Sequence, residues 1–182
     1  MHRPVIAFLL ALFLSAGAWQ QLRASSSVHE AGLPDLPALV AHADWIADFE
    51  ILETTPLLRP DGTIATQVVA SSRVPLKGRL ASVQEFTLPG GAVAGRGLHI
   101  PGMPALEAGD RVLLFLSQED PEARWRLPVG LSAGTFRVLE TGDDGPWVVG
   151  AARSGPDSPL EALSYDEFLI RVQQEVLRQR EG

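Results

Sequence analysis

The stretch Trp45-Ile46-Ala47-Asp48-Phe49-Glu50-Ile51-Leu52 decides how the chain is read. Successive side chains of a strand point to opposite faces. Trp45, Ala47, Phe49 and Ile51 then share one face, and Ile46, Asp48, Glu50 and Leu52 share the other. The expectation is a strand with one apolar side and one side carrying two carboxylates. Asp48 and Glu50 sit about 7 Å apart at the strand rise, and both are read as solvated. A glycosidase needs its acid and base across a cleft rather than along one strand.

Strand signals continue on the carboxyl side. Arg59-Pro60-Asp61-Gly62 is a turn, with proline and glycine where turn geometry favours them. Ile64 to Val74 is a predicted second strand, with Ile64, Thr66, Val68, Ala70, Ser72 and Val74 on one face and Gln67, Ser71 and Arg73 on the other. Pro75-Leu76-Lys77-Gly78 reads as an interruption, after which Leu80 to Leu88 resumes the pattern. Lys77, the single lysine of the chain, is expected in that turn with its ammonium in water, as architecture rather than chemistry. Arg111 to Ser117, an almost wholly apolar run, is the predicted central strand. Arg124 to Val129, Gly134 to Glu140 and Trp147 to Ala151 are further strands, the last two joined by an Asp143-Asp144-Gly145 hairpin.

Helical signals flank these strands. Asp35 can cap a short helix over Leu36 to His42, with Leu36, Leu39 and Val40 on one side. Ser164 and Glu167 have capping-box spacing, and Tyr165, Phe168, Leu169, Val172 and Val176 then form one stripe. Arg178 and Arg180 lie near its carboxyl end, where positive charge is favoured. The fold class is therefore mainly β: a small OB-like barrel, closed or half-closed, with a β-sandwich as the alternative. It carries a short N-terminal helix and an amphipathic C-terminal helix at about 160–180, in one domain spanning 35–182.

The amino terminus is of a different kind. Pro4 to Ser15 is apolar and uncharged, and Ala16-Gly17-Ala18 offers small residues for cleavage. This is a secretory signal peptide over 1–18, followed by a polar leader over 19–34. The run is shorter than the roughly 20 residues that span a bilayer, so no stable membrane anchor is expected after cleavage. The product is exported, periplasmic or secreted. The chain has no cysteine and a net charge of −7. The charge disfavours nucleic acid as a partner.

A resemblance emerges from several segments in order: Ala43 to Ile51, Leu76-Lys77-Gly78, Thr87 to Gly91, Ala108 to Leu116, and Leu127 to Val138. Together they resemble a group of exported bacterial β-barrel proteins. More distantly, the order is similar to the netrin-like module of tissue inhibitors of metalloproteinases, an OB-type barrel. The resemblance implies a barrel and a binding role, with an exported protein such as a protease as partner. It does not carry over the inhibitors' zinc-chelating cysteine, which this chain lacks.

Candidate site residues divide into two readings. Pro89 to Pro104 holds five glycines and three prolines, and a loop of that length is usually functional or disordered. It marks the face of a non-catalytic binding module, with Arg96, His99 and Met103 on the loop and Trp125 and Trp147 as aromatic anchors. The alternative is a serine hydrolase using Ser132 with His99 or His42, because Gly130-Leu131-Ser132-Ala133-Gly134 matches the nucleophile-elbow spacing. The elbow needs a strand before and a helix after it, whereas strands are expected on both sides here. His29 falls in the leader, and no paired histidine motif suits a metal. No cofactor is expected.

Overall fold

The computed structural model describes residues 35–142, 145–150 and 162–181. The cleavage segment, the leader with His29, Asp143-Asp144 and Ala151 at the end of a predicted strand lie outside the described residues. The elements are α1 (Leu36–His42), β1 (Trp45–Leu58), β2 (Ile64–Lys77), β3 (Val83–Pro89), β4 (Gly91–Val93), β5 (Arg96–Leu98), β6 (Arg111–Leu116), β7 (Thr135–Glu140), β8 (Pro146–Gly150), β9 (Ala162–Ser164) and α2 (Tyr165–Glu181). A 3-10 turn, Leu131–Gly134, precedes β7.

Seven strands form one sheet in the order β3-β2-β1-β6-β7-β8-β9, while β4 and β5 pair as a separate hairpin. Each described pairing is antiparallel. The fold is mainly β with a short helix near the start and a C-terminal helix, and β6 is the middle strand of the seven. Both helices are capped where the sequence places the caps. Asp35 accepts from Ala38 N at 3.3 Å, and Ser164 Oγ accepts from Glu167 N at 3.3 Å.

The sheet does not close on itself: β3 and β9 are its edges among the described residues. The expected strand over Arg124 to Val129 reduces to a single bridge between Leu116 and Pro128. Ser117 N donates to Leu127 O and Val129 N to Phe115 O, both at 2.7 Å, but Leu127 N donates to Ser117 Oγ at 3.2 Å and the Ser117 carbonyl accepts from the Arg126 guanidinium at 2.9 Å, so the ladder goes no further. On its other side the same segment reaches β3, where Arg126 N donates to Thr87 O at 3.1 Å. It thus links edge strand β3 to β6. The four strands β3-β2-β1-β6 wrap an apolar interior of Ala47, Phe49, Ile51, Val68, Ala70, Phe86, Leu88, Val112, Leu114 and Leu116. The opposite face packs Ile46, Leu113, Phe115, Phe136, Val138 and Val148 under α1 and α2. Each valine, leucine, isoleucine or phenylalanine among them contributes about 1.5–3 kcal/mol on burial.

Bulges break the simple alternation. Asp48 pairs with Val74, but Phe49 pairs with Ser72, so Arg73 is an extra residue in β2. Val74 consequently packs on the helix side, away from Val68 and Ala70, with which the alternation grouped it. A second shift lies between Ile46–Lys77 and Ala47–Pro75. Proline is tolerated at such an irregularity, so β2 continues through Pro75 to Lys77 instead of stopping at Val74. The Lys77 ammonium does not stand free in water but is part-buried against α1. It donates to Val40 O at 2.7 Å, satisfying a carbonyl in the last turn of α1.

The turn that follows is a close approach. Gly78 has φ +90°, and a Cβ there would meet Asp44 O at 2.5 Å and Trp45 Cδ1 at 2.7 Å. Gly78→Ala is expected to cost about 1–3 kcal/mol or more from backbone strain and clash, read as a lower urea midpoint. Lys77→Met, which removes one hydrogen bond, should cost about 1 kcal/mol. Unchanged stability in Gly78→Ala would contradict the contact between this turn and the start of β1.

Candidate functional site

The open end of the wrapped strands forms a groove of about 760 Å³. Its floor is Thr54, Pro56, Thr66, Val68 and Leu88, and its far wall is the segment from Gly90 to Glu107 with the β4–β5 hairpin. A third bulge sets this floor. Ile51 pairs with Ala70 and Glu53 with Val69, leaving Leu52 unmatched. Strict alternation from Ile51 would turn Glu53 and Thr55 inward. The bulge turns Thr54 and Pro56 inward instead, where they line the groove beside Val68 and Thr66.

The wall is anchored at defined points. Met103 and Leu106 pack against the interior cluster. Arg137 donates to Ala105 O at 3.1 Å and pairs with Asp110 at 2.9 Å. Thr66 Oγ1 donates to Gly90 O at 2.8 Å. The loop expected to be irregular therefore contains a small hairpin and a strap plugged into the core. Among the described residues, His99 and Glu107 are the titratable side chains that line the groove.

The site residues named from sequence separate into groups. His99 and Met103 line the groove, and Arg96 stands exposed on β5 at its rim. Trp125 lies elsewhere, lining a shallow cleft with Ser117 to Pro121 and Leu127. The Arg59 guanidinium sits 4.3 Å from the Trp125 ring centroid and also bonds Ala123 O, tying this loop to the β1–β2 turn. Trp147 lies opposite Leu139 and Ser164 in β8. Its neighbour Val148 packs on the helix side, so Trp147 belongs to the other sheet face.

Ser132 lines a smaller cleft of about 310 Å³ with Gly102 to Leu106, Thr135 and Arg137. His42 lies on α1, where its Nδ1 is 2.8 Å from Ala38 O. Among the described residues, no hydrogen bond joins Ser132 to His99 or His42. The Gly-x-Ser-x-Gly spacing has a local cause: a Cβ on Gly134 would stand 2.4 Å from Val129 O. The serine sits within the 3-10 turn, which leads into β7 and not into an α-helix.

Sequence reasoning missed a buried polar cluster beneath the start of α2. Asp48 is 0% exposed, not solvated. Its Oδ2 accepts from Arg111 Nη2 at 2.7 Å and from Tyr165 OH at 2.6 Å, while Arg111 Nε lies 3.0 Å from the same oxygen. Arg111 also binds Glu140 and lies 4.7 Å from the Tyr165 ring centroid. The bond to Asp48 holds the Arg111 pKa above its ordinary value. Burial, followed by the Asp48 bond, pushes Tyr165 up to about 12. The available signal was position. A carboxylate at the centre of an apolar strand must find donors, and Arg111 opens the most apolar strand. Glu50, the other carboxylate, pairs with Arg73 at 2.9 Å and is partly exposed.

Removing one partner of a buried pair leaves the other charge uncompensated, so Asp48→Asn should cost about 3–5 kcal/mol. Tyr165→Phe, which loses a bond to a charged acceptor, should cost about 1.5–3 kcal/mol. Because the folded state holds the Tyr165 proton above the ordinary value of about 10, the associated stability is present below pH 10. It is lost as pH rises toward about 12. Tyr165 is the only tyrosine, so an ultraviolet absorbance titration reads it alone. A midpoint near the ordinary value would contradict the buried bond.

Comparison with family models, with curated proteins and with solved structures gives no match for this chain.

Proposed function

We propose that the chain is an exported, non-catalytic binding module whose groove engages an exported protein, such as a protease. The observation that carries this reading is the groove itself. It is an open, mainly apolar concavity of about 760 Å³ whose wall is the segment singled out in the sequence. A few polar groups in an apolar cleft suit recognition. The lining offers His99 and Glu107 as its titratable groups, whereas nucleophilic catalysis needs a nucleophile with its base within hydrogen-bond reach. Export rests on the apolar run over Pro4 to Ser15. A protease as partner rests on the resemblance to the netrin-like module.

The test is capture from an exported-protein fraction by the full chain and by a groove variant. Removing Gly90 to Pro104 would also remove Met103 from the core, so the variant is Leu98→Glu with Ala92→Arg, at exposed wall positions. The expected outcome is a captured protein that the variant loses while keeping wild-type thermal stability. Equal capture by both would assign binding to another surface. Ser132→Ala assayed on esters and peptides separates the hydrolase reading: wild-type turnover abolished by that substitution would replace the binding reading.

A further inference from the structure

We propose that the free edge of β1 beside the groove takes up an extended, basic segment of a partner protein as an added strand. This rests on the reading of the groove as a protein-binding surface and specifies how the partner is held.

The two neighbours of β1 end at different levels. Its pairing with β6 runs from Trp45 to Glu50, and Ile51 still exchanges bonds of 2.8 Å with Gly109 N and Asp110 O. The chain then leaves at a tight turn, in which Asp110 N donates to Glu107 O at 3.0 Å and Asp110 Oδ2 accepts from Glu107 N at 2.9 Å. On the other side, pairing with β2 continues to Leu58 and Ile64. From Leu52 to Leu58, β1 is therefore hydrogen-bonded to a strand on one side only among the described residues, although β4 packs near it, with Gly91 close to Pro56.

The direction of the exposed groups follows from the ladder. Bonds in an antiparallel pair alternate, and Arg59 N donates to Thr63 O at 2.9 Å. The register is unbroken from Glu53 to Leu58, so the main-chain groups of Thr54, Pro56 and Leu58 point away from β2. This leaves N–H donors at Thr54 and Leu58 and carbonyl acceptors at all three. The side chains of Thr54 and Pro56 line the groove beside Leu106 and Glu107. A strand laid along this edge satisfies those main-chain groups and places alternate side chains in the groove, the arrangement of strand addition.

Charge selects the occupant. Glu53 and Glu107 are exposed on either side of this notch, and neither is ion-paired among the described residues. Glu53 accepts from Thr55 Oγ1 at 2.9 Å. Lysine or arginine flanking the incoming strand complements both carboxylates. A second copy suits the edge poorly. Two copies would set one acidic edge against another, each carrying an unpaired Glu53, and neither would supply the cation that this edge calls for.

The test uses a phage-displayed library of random twelve-residue peptides selected on the full chain, followed by synthetic versions of the peptides recovered. Expected are basic peptides that bind saturably, protect the Thr54 amide from hydrogen exchange and weaken as salt rises. Thr54→Pro should weaken them ~10-fold or more, while Thr54→Val, which keeps the N–H, should not. Methylating alternate peptide nitrogens should abolish binding in one register only, a readout that survives if Thr54→Pro fails to fold. Peptides that bind in the groove without protecting β1 amides would overturn this inference and leave the binding module standing. Recovery of no peptide overturns both. A dimer of the chain that Thr54→Pro dissociates would give the edge to a second copy and overturn the inference.

Discussion

A single carboxylate organises this fold. Asp48 lies in β1 with neighbouring strands on both sides, fully removed from water. Its charge is tolerable there because Arg111 from the adjoining strand and the Tyr165 hydroxyl both donate to it. The cluster draws on residues distant in sequence: a sheet strand, its neighbour and the first residue of α2. Apolar burial alone would let α2 slide or rotate over Phe115, Phe136 and Val138. A directional bond from Tyr165 fixes where the helix begins, and the stripe of Phe168, Val172 and Val176 then falls on those side chains.

The second organising device is the set of register shifts along β1 and β2. A strand with perfect alternation keeps the same residues on one face throughout. Here the extra residue at Arg73 transfers Val74 to the helix side, and the one at Leu52 turns Thr54 and Pro56 inward. Each bulge also increases local twist. Long paired strands can thus serve a helix-covered sheet at one end and an open groove at the other.

Much of the architecture was legible because it depends on local chemistry. The caps at Asp35 and Ser164, the stripe of α2, the two faces of Trp45 to Ile51 and the central place of Arg111 to Leu116 all follow from spacing and propensity. What was not legible depends on contacts between distant segments. The position of Asp48 in an apolar strand hinted at burial, but nothing local names its partners Arg111 and Tyr165, or predicts that Glu50 two residues on pairs with Arg73 near the surface. The bulges leave no mark in composition, so faces read beyond them were inverted. Proline was an unreliable marker: Pro75 sits inside a strand, and the segment before Pro128 leaves the ladder because Arg126 takes the Ser117 carbonyl. Of the candidate site, the Gly90 to Pro104 wall and His99 were found. The floor from β1 and β2 was not, and Trp125 and Trp147 proved to stand on other surfaces.

The bond from Lys77 to Val40 has a practical corollary. Within the described residues, the only side-chain primary amine is engaged with a helix carbonyl. An acylating reagent must displace that bond to reach the nitrogen, so this lysine should react more slowly than one free in solution.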